Sequence, residues 1–200
     1  MKSAKTCALG LSSILMMTAA APLASAQAAH VRWDLVSANF VPPFTVSAGG
    51  VASATANDGS YITMTGSGTF VAPGGGDGTS GATTGGGTWT THTSGGVVTG
   101  TGAYTVTGLV RWDPAPFEPG GPPPRTDLID PSAIRSTGLA VLRITYSDGQ
   151  HGILVVSCTG VTAPAFMFEG ITATKEFTDY KSPVPPVGGV DANRTLFHIN

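Results

Sequence analysis

The residues of this chain best placed to do chemistry together lie in one segment, LAVLRITYSDGQHGILVVSC, residues 139 to 158. Tyr146 and His151 bracket Ser147-Asp148-Gly149-Gln150. A two-residue type I′ turn at Asp148-Gly149 puts phenol and imidazole opposite one another at a hairpin end, where barrels form ligand pockets at their mouths. A three-residue loop with Gly149 left-handed instead slides the second strand by one position and exchanges its faces. Both registers suit the sequence. Arg143 in the same apolar strand and Glu169, opening EGITATKEF, are a second candidate pair. Turned into one interior, burial would raise the carboxyl pKa and the guanidinium would lower it, a combination that marks sites. The plainer alternatives are a cross-strand stack for the first pair and a structural ion pair, or two rim residues in water, for the second. Trp89, Trp112 and Trp33 supply faces that suit a sugar or an apolar molecule. Trp33 and Trp112 each sit in Arg-Trp-Asp, which equally suits a ring sealing the edge of a core.

Other chemistries lack their signatures. His30, His92, His151 and His198 are dispersed without zinc-ligand spacing, and DGTSG and DANRT lack the acidic alternation of a calcium loop, so neither metal nor cofactor is expected. Gly-x-Ser-x-Gly, Ser-x-x-Lys and the phosphate-binding Gly-x-x-x-x-Gly-Lys are all missing, so no catalytic residue is assigned. Catalysis would have to be assembled by the fold around an acid and a base. Asn193-Arg194-Thr195 is formally a glycosylation acceptor.

The first 26 residues read as a secretory signal: Lys2 and Lys5, an apolar run from Leu9 to Leu23, and Ala24-Ser25-Ala26 before Gln27. The run is shorter than the roughly 20 residues of a membrane-spanning helix and contains Pro22, so removal is expected and no membrane span. The expected location is secreted or periplasmic. Processing removes two of ten basic residues and none of the twelve acidic, taking the net charge from −2 to −4. Scattered cations on such a chain leave no footprint for nucleic acid. The remaining chain, residues 27–200, is of single-domain size at about 170 residues. Cys158 is then its only cysteine, so an intrachain disulfide is impossible and a buried core thiol is expected.

These side chains must be positioned by strands. No window beyond the signal sustains a helical apolar period for ten residues, whereas period-two and continuously apolar runs rich in Val and Thr recur. The expectation is an all-β, single antiparallel domain of about eight to ten strands, a β-barrel in preference to a β-sandwich. The opening hairpin spans Leu139 to Tyr146 and Gln150 to Cys158. Apolar on both sides, it reads as central in its sheet and covered on both faces. Val51 to Ala56 and Ser60 to Val71 form a second hairpin, with Ile62 and Met64 on its apolar side. Thr88 to Thr93 pairs with Ala103 to Trp112, and Arg32 to Phe40, Glu169 to Glu176 and Thr195 to Ile199 are further strands. TGSGTF (65–70) and TGTGAY (99–104) share a glycine-aromatic pattern of the kind that lets backbones approach closely or turns barrel corners. Gly/Pro-rich stretches near 73–87, 113–125 and 182–193 are expected to be long loops.

With ITMTGSGTF, GGGTWTT, LAVLRITYSDGQHGILVVSC, FEGITATK and NRTLFH in view, most of residues 33 to 199 resembles a family of small exported bacterial β-proteins without an assigned activity. The Gly-x-Gly-x-aromatic strands also resemble, more loosely, eight-stranded barrels of the allene oxide cyclase and dirigent kind. Neither resemblance carries a functional residue across. The expected function is an exported non-catalytic domain that binds a small apolar molecule or a carbohydrate, or acts at the cell surface. The alternatives are a small isomerase or cyclase using Glu169 and Arg143, and a purely structural envelope protein.

Overall fold

The structure, a computed structural model, describes residues 29–72, 82–115, 125–160 and 163–200. The expected signal (1–26) and parts of the expected loops (73–81 and 116–124) lie outside them. The described residues contain no helix, and none long and apolar enough to cross a membrane.

Fourteen strands form one sheet: β1 (Ala29–Asn39), β2 (Thr45–Ala48), β3 (Ala52–Thr55), β4 (Tyr61–Met64), β5 (Ser67–Ala72), β6 (Thr84–His92), β7 (Val98–Ala115), β8 (Thr126–Asp127), β9 (Ile134–Tyr146), β10 (His151–Cys158), β11 (Gly170–Lys175), β12 (Thr178–Tyr180), β13 (Ser182–Pro183) and β14 (Val190–Ile199). All pairings are antiparallel except β2 with β8. Every strand read from the sequence is present. The surplus comes from short pieces without a periodic signature, β2, β8, β12 and β13, and from a break at Thr65-Gly66 that divides β4 from β5. Gly85, Gly86 and Gly87, expected in a loop, are paired within β6, and β13 and the start of β14 fall inside the stretch expected as a loop at 182–193.

The ladders return to their origin: β1 pairs β5, β5 pairs β6, β6 pairs β7, β7 pairs β9, β9 pairs β14, and β14 pairs β1. A ring of ladders satisfies both backbone edges of these strands where they pair, and removes the exposed edges that invite aggregation. The core is filled by inward-facing residues of these strands and of β4, β10 and β11, among them Trp33, Phe70, Met64, Leu109, Leu142, Ile144, Leu154, Ile171 and Phe197, all essentially without solvent contact.

The two glycine repeats carry out one device twice. Gly68 stands opposite Trp33 and Gly102 opposite Trp89 in their ladders. A Cβ on Gly68 would lie 2.7 Å from the Trp33 indole nitrogen, and one on Gly102 would lie 3.0 Å from that of Trp89. Each large ring therefore lies flat across a partner strand that has no side chain to hold it off.

The opening hairpin adopts the three-residue loop. Tyr146 N–H donates to the Gln150 carbonyl (2.8 Å), Gly149 N–H donates to the Tyr146 carbonyl (2.9 Å), and Gly149 has φ +86°. This pairs Thr145 with His151 and Leu142 with Leu154. The inward set is then Gly152, Leu154, Val156 and Cys158, and Gly152 leaves room for the Tyr146 ring, which a Cβ would approach to 3.0 Å. The hairpin is central in the sheet, flanked by β7 and β11. It is not covered on both faces: Leu139, Val141, Ile153 and Val155 point outward and are half-buried, and Arg143 among them is exposed. The outward aliphatic side chains are half-shielded by their own cross-strand neighbours, and among the described residues no second layer seals them.

A second layer does cover the outer face of β1 and β14. There β2, β8 and residues 128 to 133 close over Val36 and Leu196, with Val46 and Ile129 completing a small apolar cluster. Beneath it lie Asp34 and His198, both fully buried.

Candidate functional site

A recess of about 340 Å³ opens where several turns and strand ends converge. β6 contributes Trp89 and Thr91, and β7 contributes Thr99 and Gly100. The β9–β10 loop gives Asp148 and Gln150, β11 and the residue after it give Lys175 and Glu176, and β12 gives Thr178 and Tyr180. Lys175 is the centre. Inward alternation along β11 runs Ile171, Ala173, Lys175, so period two sends the lysine stem into the core and leaves its ammonium at the rim. The ammonium sits 4.4 Å from the Trp89 ring centroid and 5.0 Å from that of Tyr146. It donates to Asp148 Oδ2 at 2.5 Å and to Gln150 Oε1. Gln150 in turn donates through Nε2 to Glu176 Oε1.

The rings that hold the ammonium are themselves fixed. Trp89 donates its indole N–H to the Ala103 carbonyl (3.0 Å) and meets Tyr146 edge to face at 5.6 Å between centroids. Tyr146 donates its hydroxyl to the Thr174 carbonyl (2.8 Å). Burial raises the Tyr146 pKa, so this phenol is a neutral donor with its proton already committed. The hydrogen bond from Lys175 holds the Asp148 carboxyl below the usual carboxylate range. One cation thus faces two carboxylates, Asp148 and Glu176, among hydroxyls and an amide.

Of the residues singled out from the sequence, Trp89 lines this recess, and Tyr146 packs against Trp89 and Lys175 beside it. His151 does not: the three-residue loop places it on the opposite face, exposed, with Nδ1 3.1 Å from the Thr145 hydroxyl. Arg143 and Glu169 do not converge either. Arg143 is exposed on the outside of β9, while Glu169 is bound by the backbone N–H groups of Thr159 (2.9 Å) and Thr195 (2.8 Å), with Arg194 as the cation acting on it. Burial raises the Glu169 pKa to about 7 against those hydrogen bonds. Its carboxyl joins the end of β10 to β14 where β9 passes from one partner to the other. Trp112 packs at 5.4 Å from Phe70 and 4.6 Å from Phe197 and seals the core, while the flanking Arg111 and Asp113 pair at 2.5 Å on the outer face. Arg32 and Asp34 do the same around Trp33. Cys158 is 6% exposed, its thiol pKa raised by burial and by the Glu169 charge, the reverse of an activated nucleophile.

Lys175 and Gln150 were not singled out from the sequence, although ITATK places Lys175 on the same side as Ile171 and Ala173. A charged residue at an inward position is the signal that finds it. His198 is also new: its Nε2 lies 2.7 Å from Asp127 Oδ2, its Nδ1 4.0 Å from Asp34 Oδ2, and Arg32 grips Asp34 through two nitrogens. Among the described residues no group of three or more His, Cys, Asp or Glu side chains is arranged to hold a metal. No family model matches the chain, and neither a curated protein nor a solved structure matches it.

Proposed function

We propose that this protein is an exported, non-catalytic binding domain that takes a small polyhydroxylated molecule, a carbohydrate, into the recess around Lys175. The observation that carries the reading is the lining: threonine hydroxyls, an amide, an ammonium and two carboxylates round a space of about 340 Å³, near the lower end of small-molecule sites. An apolar occupant would strand these groups without water, at a cost that its own burial does not offset. A sugar offers donors and acceptors in the same ring. The way the charges are spent supports the non-catalytic reading. Asp148 is held ionised by Lys175, and the Tyr146 proton is given to a backbone carbonyl, so neither is a ready acid or base. The isomerase alternative required Arg143 beside Glu169, and those side chains face different surroundings.

Trp89 supplies the readout, since its indole borders the recess. Titration of the mature protein with neutral oligosaccharides is expected to give saturable changes in tryptophan fluorescence, lost in Lys175→Met and weakened in Gln150→Ala. No saturable change with any saccharide at tens of millimolar, in a folded sample, refutes the reading.

A further inference from the structure

Two turns border the recess, and they meet the same backbone demand with different residues. In the Ser147-Asp148-Gly149 loop the left-handed position is filled by Gly149 (φ +86°), the residue type that adopts it without strain. Between β11 and β12, Lys175 pairs with Thr178, so Glu176 and Phe177 alone make the turn, and Glu176 takes φ +53°. Two-residue hairpin turns favour glycine or asparagine where φ is positive. Glu176 is exposed and Phe177 fully so, and packing therefore does not offset the strain. What the glutamate adds is a carboxylate in the wall of an open recess. Its charge is unmatched. Lys175 is engaged by Asp148 at 2.5 Å, whereas Glu176 accepts from the neutral Gln150 amide and has no ion pair among the described residues. The charges of Asp58 and Glu176 add to burial in raising the pKa of Tyr180, which also lines the recess. With one ammonium against Asp148 and Glu176, the lining carries one net negative charge.

We propose that the saccharide taken by the Lys175 recess is an amino sugar whose free ammonium group meets Glu176, an inference that rests on the saccharide reading of that recess. The ammonium replaces the Gln150 amide as donor to the carboxylate, exchanging a neutral hydrogen bond for a charge-assisted one. Gln150 stays in place, because its Oε1 is held by Lys175. Hydroxyls of the same sugar meet Thr91 and Thr99, whose existing hydrogen bonds leave lone pairs free. A neutral sugar, or one with its amine acetylated, leaves Glu176 with the amide it already has and gains nothing from the charge. Glu176 thus determines specificity rather than affinity for sugars at large.

The experiment is a tryptophan-fluorescence titration of the mature protein at about pH 6, where a sugar amine is protonated. The ligands are glucosamine oligomers, the same oligomers N-acetylated, glucose oligomers of equal length, and ethanolamine. At low salt the glucosamine oligomers are expected to bind roughly threefold to tenfold tighter than either neutral series. The ratio should close towards one in about 1 M sodium chloride, where the Debye length falls to about 3 Å. Ethanolamine, an amine without the ring of hydroxyls, should give no saturable change. Glu176→Gln is expected to bring the ratio of charged to neutral affinities close to one, with the fold checked by near-ultraviolet circular dichroism. Glu176→Gly should lose the preference equally and raise the urea midpoint by relieving the backbone, a combination that a merely structural glutamate does not give. Equal affinity for charged and neutral oligomers, or a preference that survives Glu176→Gln, overturns this inference and leaves the saccharide reading standing. Ethanolamine as tight as glucosamine also overturns it, marking a site for any small cation. Saturable binding by none of the sugars overturns both.

Discussion

Two regions of this molecule are built from nearly the same parts and behave differently. At the recess, Lys175 lies between two rings and pairs with Asp148, whose side chain keeps 36% of its surface in water. Under the outer layer, His198 lies between Asp127 and Asp34, with His198 and Asp34 fully buried and Asp127 nearly so. The first cluster has a neighbouring space and groups that can exchange partners with a ligand. In the second, β8 and the following residues occupy that space, and the charges hold one layer to another. A buried basic side chain next to an aspartate is therefore no sign of a site by itself. Room beside it, and a partner free to return to water, make the difference.

Removing the central basic side chain from each cluster should separate them most sharply. His198→Ala leaves Asp34 and Asp127 facing each other with no base between them. A loss of about 3 to 5 kcal/mol is expected, measured as a shift of the urea midpoint. A loss under about 1 kcal/mol would mean that water already reaches the cluster and that it is not sealed. The next largest effect concerns Glu169, which ties β10 to β14. In the unfolded chain this carboxyl ionises near 4.5, and in the folded protein near 7. Folding therefore binds a proton between those values. The group's contribution is complete below about pH 4.5 and fades as pH rises through 7, a change on the order of 3 kcal/mol. Denaturation midpoints from pH 4 to 8 should show this slope, and Glu169→Gln should flatten it.

Lys175→Met is predicted to cost only about 1 kcal/mol or less in stability, because Asp148 turns to solvent, while saccharide binding is lost. Equal stability losses for Lys175→Met and His198→Ala would erase the distinction between the regions. At the small end, Arg143→Ala should change stability by less than about 0.5 kcal/mol, as for exposed surface residues generally. Cys158 should react with a thiol reagent only as fast as the protein unfolds, since its burial and raised pKa both suppress the thiolate.

The strands were legible because their information is local. Ile62 and Met64 alternate with Tyr61 and Thr63, and the first pair is buried as that alternation requires. Asp148-Gly149 marked a turn, and Gly149 takes the left-handed conformation there. The inward lysine of ITATK was equally local and was legible in principle. Short strands such as β8 and β13 were not, because two residues carry no period; they pair only because the rest of the fold brings them to an edge.

What the sequence determined by itself was an all-β chain, its principal strands, and the side of most strands that turns inward. What the tertiary structure decided was the hairpin register, and with it that Tyr146 joins Trp89 and Lys175 while His151 faces away. It also decided that Arg143 and Glu169 never meet, and that His198 is sealed between two aspartates. The physical reason is one of range. Alternation and turn preference act over two to four residues, whereas register depends on whether a ring such as Tyr146 finds a glycine such as Gly152 across the ladder. The partnership of His198 with Asp127 joins residues 71 apart in the chain, and no spacing along the backbone encodes it.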